Sequence, residues 1–129
     1  FYFLNPDRPD RVDIFSHDPN LKNRPVVFIV PPFLHGRISC KHFPGKVGFT
    51  KALTPQESAS CAQEPRDYML QQVSHFSNKY ADQSVIFILA GGMYNSAVLH
   101  EFWRRHPDSF KKDVVISVGA ALDTFGGKS

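Results

Sequence analysis

Two adjacent glycines end the most apolar run of this chain: Ser84-Val85-Ile86-Phe87-Ile88-Leu89-Ala90 passes into Gly91-Gly92, with Asn95 and Ser96 just beyond. Glycine permits a tight turn and close approach of the backbone to a ligand. The unpaired N–H groups that open a following helix attract an anion such as phosphate. A turn of this kind suits a nucleotide diphosphate. It serves equally well as a plain strand-to-helix connection, because the stretch is not GxGxxG and such turns use glycine for steric reasons alone. Gly91, Gly92, Asn95 and Ser96 are the candidate substrate-binding residues of this segment.

Two further loops carry groups with usable chemistry. His35 and Arg37 follow the apolar run Val26 to Val30, in a polar and basic stretch that continues through Lys41 and His42. A cation there can meet a phosphate or a substrate carboxylate, and a solvated loop has the same composition. His35 is a candidate catalytic residue and Arg37 a candidate binding residue. Gly119 and Asp123 follow the third apolar run, Asp113 to Gly119. The Asp123 carboxylate can coordinate a divalent metal or accept a bond from a ribose hydroxyl, and it also suits a turn or a helix cap. Asp123 is therefore a candidate for both catalysis and metal binding, with manganese or magnesium as the ion.

Other chemistries are weaker fits. Gly126-Gly127-Lys128-Ser129 imitates the end of a phosphate-binding P-loop, but the earlier glycine of that motif falls at Leu122. No HExxH or HxH spacing links the six histidines. His100 and Glu101 are neighbours on a helix, so their side chains diverge by about 100° and do not form an acid/base pair. Ser39 and Ser96 lack the context of a catalytic triad, and no GxSxG elbow is present. Cys40 and Cys61 have neither CxxC spacing nor zinc-finger companions; two isolated thiols and a single disulfide are both compatible with the sequence.

These loops need elements to hold them. Phe1 to Leu4 suits a short strand, after which Asn5-Pro6-Asp7, Arg8-Pro9-Asp10 and Asp18-Pro19-Asn20 read as turns, so residues 1–24 form an irregular N-terminal segment. From residue 25 to 129 the pattern is that of an α/β domain. Val26 to Val30 is continuous and β-branched, as in a strand buried on both faces. Lys46 to Leu53 alternates weakly as a strand. Thr54-Pro55-Gln56-Glu57 has the form of a capping box with proline at the first helical position. A helix opens at Pro65, with Met69, Leu70, Val73, Phe76 and Tyr80 on one face. After the second buried strand, Asn95 or Ser96 caps another helix carrying Val98, Leu99, Phe102 and Trp103, which ends at Pro107-Asp108. The alternation predicts a small, Rossmann-like, mostly parallel sheet with helices on both faces. Ligands of such sheets bind beyond the carboxyl ends of the strands, where the three candidate loops converge.

Composition sets the bounds. The chain has 129 residues, 42% of them apolar, enough for one core and one domain. Net charge is +3, with Arg104-Arg105 and Lys111-Lys112 expected beside a helix end or facing solvent, so nucleic acid is not the expected partner. No run approaches the roughly 20 apolar residues of a membrane span. A soluble, cytoplasmic protein is expected. Phe1 at the start, Gly126-Gly127-Lys128-Ser129 at the end and the small sheet suggest a portion of a larger protein, with other domains or a second copy as partners.

Residues Ser84 to Met93, Val98 to Phe102 and Asp113 to Gly126, about 84 to 127 in all, resemble the bacterial and viral glycosyltransferases of type D (GT-D). That Rossmann-like class has a strand ending in a glycine turn, a helix with a Leu-His pair, here Leu99-His100, and a strand running into a Gly-Ser-x-x-Asp segment. Ala120 stands where the serine would follow Gly119. The resemblance implies transfer of a sugar from a nucleotide-diphosphate donor to a glycan acceptor. Gly91 and Gly92 would lie near the diphosphate, and Gly119 and Asp123 would line the donor site. The alternatives from the residues alone are a non-catalytic α/β binding or interaction module of a multidomain protein, or a nucleotide-dependent transferase or dehydrogenase on the same fold.

Overall fold

Alternate residues of the apolar runs pack on opposite sides of one sheet. In the computed structural model, which describes residues 2–3, 24–37 and 45–118, the strands are β1 (Tyr2–Phe3), β2 (Val26–Val30), β3 (Lys46–Lys51), β4 (Ile86–Leu89) and β5 (Val114–Ser117). They form a five-stranded sheet in the order β1-β5-β4-β2-β3, and every pairing is parallel. Val26, Phe28 and Val30 share one face with Ile86, Ile88 and Ile116. Val27 and Ile29 share the other with Phe87, Leu89 and Val115. Full burial of a side chain such as Phe28 or Phe87 contributes about 1.5–3 kcal/mol relative to exposure. The continuous apolar runs are thus explained by two covered faces.

The helices are α1 (Pro55–Ala59), α2 (Gln63–Lys79), α3 (Met93–Arg105) and α4 (Pro107–Phe110). Met69, Val73 and Phe76 of α2 and Leu99 of α3 join the Val27 side of the core. Trp103 of α3 meets Phe87 edge to face, with ring centroids 5.7 Å apart. On the Phe28 side, a 3₁₀ turn, Pro32–Leu34, contributes the buried Leu34. The connection from β2 to β3 therefore carries its apolar anchor on one face, and the connections through α2 and α3 carry theirs on the other. Right-handed crossovers that leave β2 and β4 in opposite directions require that division.

Several boundaries differ from the sequence pattern for identifiable reasons. α2 begins at Gln63, so Pro65 sits inside the first turn, where a missing N–H breaks no helical bond. α3 begins at Met93 with Gly92 as its N-cap, correcting the expectation that Asn95 or Ser96 caps it. The first helical bond runs from Ser96 N–H to Gly92 carbonyl, at 3.4 Å. The capping box at Thr54 is present: Thr54 Oγ1 accepts from Glu57 N–H at 3.1 Å, and Glu57 Oε1 accepts from Thr54 N–H at 2.9 Å. β3 is irregular against β2, its register slipping between Val26 and Val27 so that Val47 is left out of the pairing.

At the amino end of β4 and β5 a buried ionic cluster joins three elements. The Asp113 carboxylate, with a side chain 0% exposed, accepts from Lys112 Nζ at 2.7 Å, Val85 N–H at 3.0 Å and Ser77 Oγ at 2.6 Å. Lys112 Nζ also donates to the carbonyls of Ser77 and Gln83. Of the two placements expected for Lys112, beside a helix end or facing solvent, it takes the first, though the helix is α2: it closes the end of α2 onto β5. Arg104 and Arg105 instead reach back to Glu101 on their own helix.

Candidate functional site

The strand order fixes where the crevice must lie. β2 leads to β3 on one side of the sheet and β4 leads to β5 on the other, so the direction of winding reverses between the adjacent strands β2 and β4. Chains leaving two such strands part to opposite faces and open a cleft at their carboxyl ends. The segments that leave there are Pro31 to Arg37 and Ala90 to Tyr94. Ala90 N–H donates to Ile29 carbonyl at 3.0 Å, which holds the two exits side by side. Val118 N–H donates to Leu89 carbonyl at 2.9 Å, so the chain leaving β5 starts on the same edge. Gly119 and Asp123 lie outside the described residues.

Gly92 has φ +86° and ψ 169°, a backbone region that is essentially closed to residues with a side chain. No side chain caps the helix it opens. The N–H groups of Met93, Tyr94 and Asn95 form the first turn, ahead of the first helical bond at Ser96, so they have no acceptor within α3. With the partial positive charge of a 13-residue helix behind them, those of the exposed Met93 and part-exposed Tyr94 form a donor pair for an anion, while Asn95 is buried. The Met93 side chain is 89% exposed at this point. Phe33, in the neighbouring exit loop, is also exposed.

Asn95 has another place. Its side chain is 0% exposed; Oδ1 accepts from Leu53 N–H at 2.8 Å, and Nδ2 donates to Leu53 carbonyl at 3.2 Å and to Gly91 carbonyl. All its side-chain hydrogen bonding is directed to the backbone of the two loops, so Asn95 is an internal clamp between them and no part of it is open to a ligand. Gly91 has no room for a side chain, because a Cβ there would come within 2.7 Å of Ala52 Cβ and 2.9 Å of Asn95 Nδ2. The Gly91-Gly92 pair thus divides its work: one glycine lets Ala52 and Asn95 close in, and the other lets the chain enter α3. Ser96 is partly exposed, and its N–H, as donor of the first helical bond, is already engaged by the Gly92 carbonyl.

The His35 imidazole folds back on β2. Its Nε2 lies 3.2 Å from Val30 carbonyl; a carbonyl can only accept, so Nε2 donates. The ring stacks on Phe49 with centroids 5.1 Å apart and planes 19° from parallel. Nδ1 is the nitrogen left for other contacts. Lys46 Nζ sits 4.8 Å from the centroid of the same phenyl ring. Arg37 is exposed at the end of the 3₁₀ turn, where its N–H donates to Leu34 carbonyl at 3.1 Å. The helix start thus lies beside an exit loop that carries one exposed guanidinium and one imidazole, the imidazole turned towards Phe49 of β3.

Among the described residues, no group of three or more His, Cys, Asp or Glu side chains is placed to hold a metal ion. Asp123, the expected ligand of manganese or magnesium, is not among them. Cys61 is a free, exposed thiol in the turn between α1 and α2. No described helix is long and apolar enough to cross a membrane.

One opening escaped the sequence reading. A cleft of about 650 Å³ lies at the carboxyl end of β3, walled by Lys51, Glu57, Glu64, Asp67, Tyr68 and Gln71 and floored by Ala52 and Leu53. The only local signal was the polar stripe Glu64, Asp67, Tyr68 and Gln71, at spacings of three and four on α2, away from its buried stripe Met69, Val73 and Phe76.

The fold and site together define a small Rossmann-like α/β domain with a candidate anion-binding turn at its winding reversal. Comparison with known proteins adds no narrower class: no family model, no curated protein and no solved structure matches the chain.

Proposed function

We propose that this chain is a nucleotide-sugar-binding domain, and that its reaction is transfer of the sugar to a glycan acceptor. The observation that carries this reading is the uncapped start of α3 behind Gly92, at the reversal between β2 and β4. A diphosphate there accepts bonds from the N–H groups of Met93 and Tyr94, and the exposed Arg37 adds a cation on the neighbouring exit loop. Exposed apolar surface at Met93 and Phe33 supports the same reading, since a nucleoside offers a flat face to cover it. In glycosyl transfer the bond between the anomeric carbon and the diphosphate oxygen breaks, the acceptor hydroxyl oxygen bonds to that carbon, and the hydroxyl proton passes to water or to the leaving diphosphate. Charge then grows on the leaving diphosphate, where fixed backbone donors stabilise it most.

The choice of glycosyl transfer among nucleotide-dependent reactions rests on the resemblance of residues 84 to 127 to the type D class. A divalent ion at Asp123 belongs to that part of the reading. Calorimetric titration of the full chain with UDP-, GDP- and CMP-sugars, with and without manganese, tests it. Saturable binding of a diphosphate sugar is expected, followed by release of the nucleoside diphosphate when a glycan acceptor is added. Binding without any transfer would assign the chain to the non-catalytic module class, and absence of binding by folded protein would exclude both steps.

A further inference from the structure

Beyond the donor crevice, the cleft at the carboxyl end of β3 has the chemistry of a saccharide subsite. Tyr68 on its α2 wall is 53% exposed, a large ring held open to solvent on a helix whose other face is packed. The face of an aromatic ring is electron-rich and attracts the weakly positive C–H edges of an apolar surface, such as one face of a pyranose. Around it stand carboxylates and amides, Glu64, Asp67 and Gln71. Carboxylates accept from two hydroxyls, and an amide both donates and accepts, so these groups suit adjacent sugar hydroxyls. Glu64, Tyr68 and Gln71 make no side-chain hydrogen bond to another described residue, whereas Lys51 and Glu57 are joined across the cleft at 3.5 Å.

Charge selects the kind of saccharide. The walls carry three carboxylates against Lys51, whose ammonium is paired to Glu57, so the open part of the cleft is negative. Phosphate and acidic sugars are repelled there, which separates this cleft from the cationic start of α3. The two places are nevertheless joined by hydrogen bonds. Leu53 in the cleft floor is bonded twice to Asn95, and Asn95 is bonded to Gly91 in the donor turn.

We propose that this cleft binds an uncharged glycan, the acceptor side of the reaction, with Tyr68 as its stacking platform. This assignment rests on the glycosyl-transfer reading for its purpose, and its test is kept independent of it. Saturation-transfer NMR on the full chain with lactose, cellobiose, maltotriose and diacetylchitobiose, each without nucleotide, is expected to detect at least one ligand. Sialyllactose, an acidic counterpart of lactose, should bind more weakly than lactose. Tyr68→Ala should weaken the best ligand roughly tenfold, and Tyr68→Phe should retain it because the ring remains. Tyr68 is exposed, so both variants should fold, and circular dichroism checks that.

Absence of binding by all four neutral saccharides, equal binding by Tyr68→Ala, or tighter binding of sialyllactose than of lactose overturns the assignment. Nucleotide-sugar binding that persists when saccharide binding is absent removes the cleft proposal alone. Saccharide binding that depends on Tyr68, in a chain that binds no nucleotide sugar, removes the donor reading alone.

Discussion

The side-chain amide of Asn95 pairs with both backbone groups of Leu53, 42 positions earlier in the chain, as a strand neighbour would. It thereby fastens the loop leaving β3 to the helix that leaves β4, and its third bond holds Gly91. Asn95→Ala should leave Leu53 N–H buried without an acceptor and lower stability by about 1–3 kcal/mol. Asn95→Asp keeps the acceptor but loses both donated bonds and should be no better. Urea unfolding measures this, and a loss below about 0.5 kcal/mol, the range of ordinary surface changes, would show that the clamp is dispensable.

Gly91→Ala tests the same joint from the other side. The added methyl would meet Ala52 and the Asn95 amide at distances that require one of them to move. Overpacking of this kind costs about 1–3 kcal/mol. The expected result is a lowered thermal midpoint together with faster amide hydrogen exchange at Leu53, the donor whose partner has been displaced.

At the opposite end of the sheet, Asp113→Ala should be the more damaging change. It strands Lys112, Ser77 and Val85, all of which donate to the lost carboxylate. Removing one member of a buried ion pair costs on the order of 3 kcal/mol. The loss should appear in unfolding free energy while ligand affinity at the carboxyl end of the sheet stays unchanged in the folded fraction. An affinity that falls with stability would contradict the separation of the two ends.

Acid should weaken two helices. Hydrogen bonds from Arg104 and then Arg105 pull the Glu101 carboxyl down from 4.5 to about 2, and the Thr54 backbone N–H is the main cause of a lowered value at Glu57. A carboxyl that titrates lower when folded adds stability above its unfolded value of 4.5 and loses it as pH falls through the folded value. Stability should therefore decline from pH 4.5 towards about 2. The double variant Glu57→Gln/Glu101→Gln should show a shallower acid slope in thermal melts, with glutamine still able to close the capping box. An unchanged slope would locate the acid sensitivity elsewhere.

The strands and the capping box were readable because their signals are local. Val26 to Val30 and Ile86 to Leu89 announce burial on two faces by composition alone, and Thr54 and Glu57 bond to each other within one turn. The role of Asn95 was not readable, because asparagine near a helix start looks like a cap and its partner lies on a distant loop. For Lys112 the sequence allowed a helix end or solvent and could not name the helix, because the carbonyls that receive its ammonium come from α2 and the turn before β4. The reversal between β2 and β4 depends on strand order, which no single segment encodes. The cleft beside Tyr68 needed three elements to meet.

Donor binding, as proposed, depends most on the start of α3 being an anion site. Met93→Glu places a carboxylate on a side chain 89% exposed at the first position of that helix. An acidic residue there favours the helix by about 0.3–1 kcal/mol, so the fold should not suffer. The same charge should repel a bound diphosphate. Calorimetry with the most tightly bound nucleotide sugar should find affinity reduced at least about tenfold, with a thermal midpoint equal to or above that of the original chain. Undiminished nucleotide-sugar affinity in the folded variant would contradict the assignment.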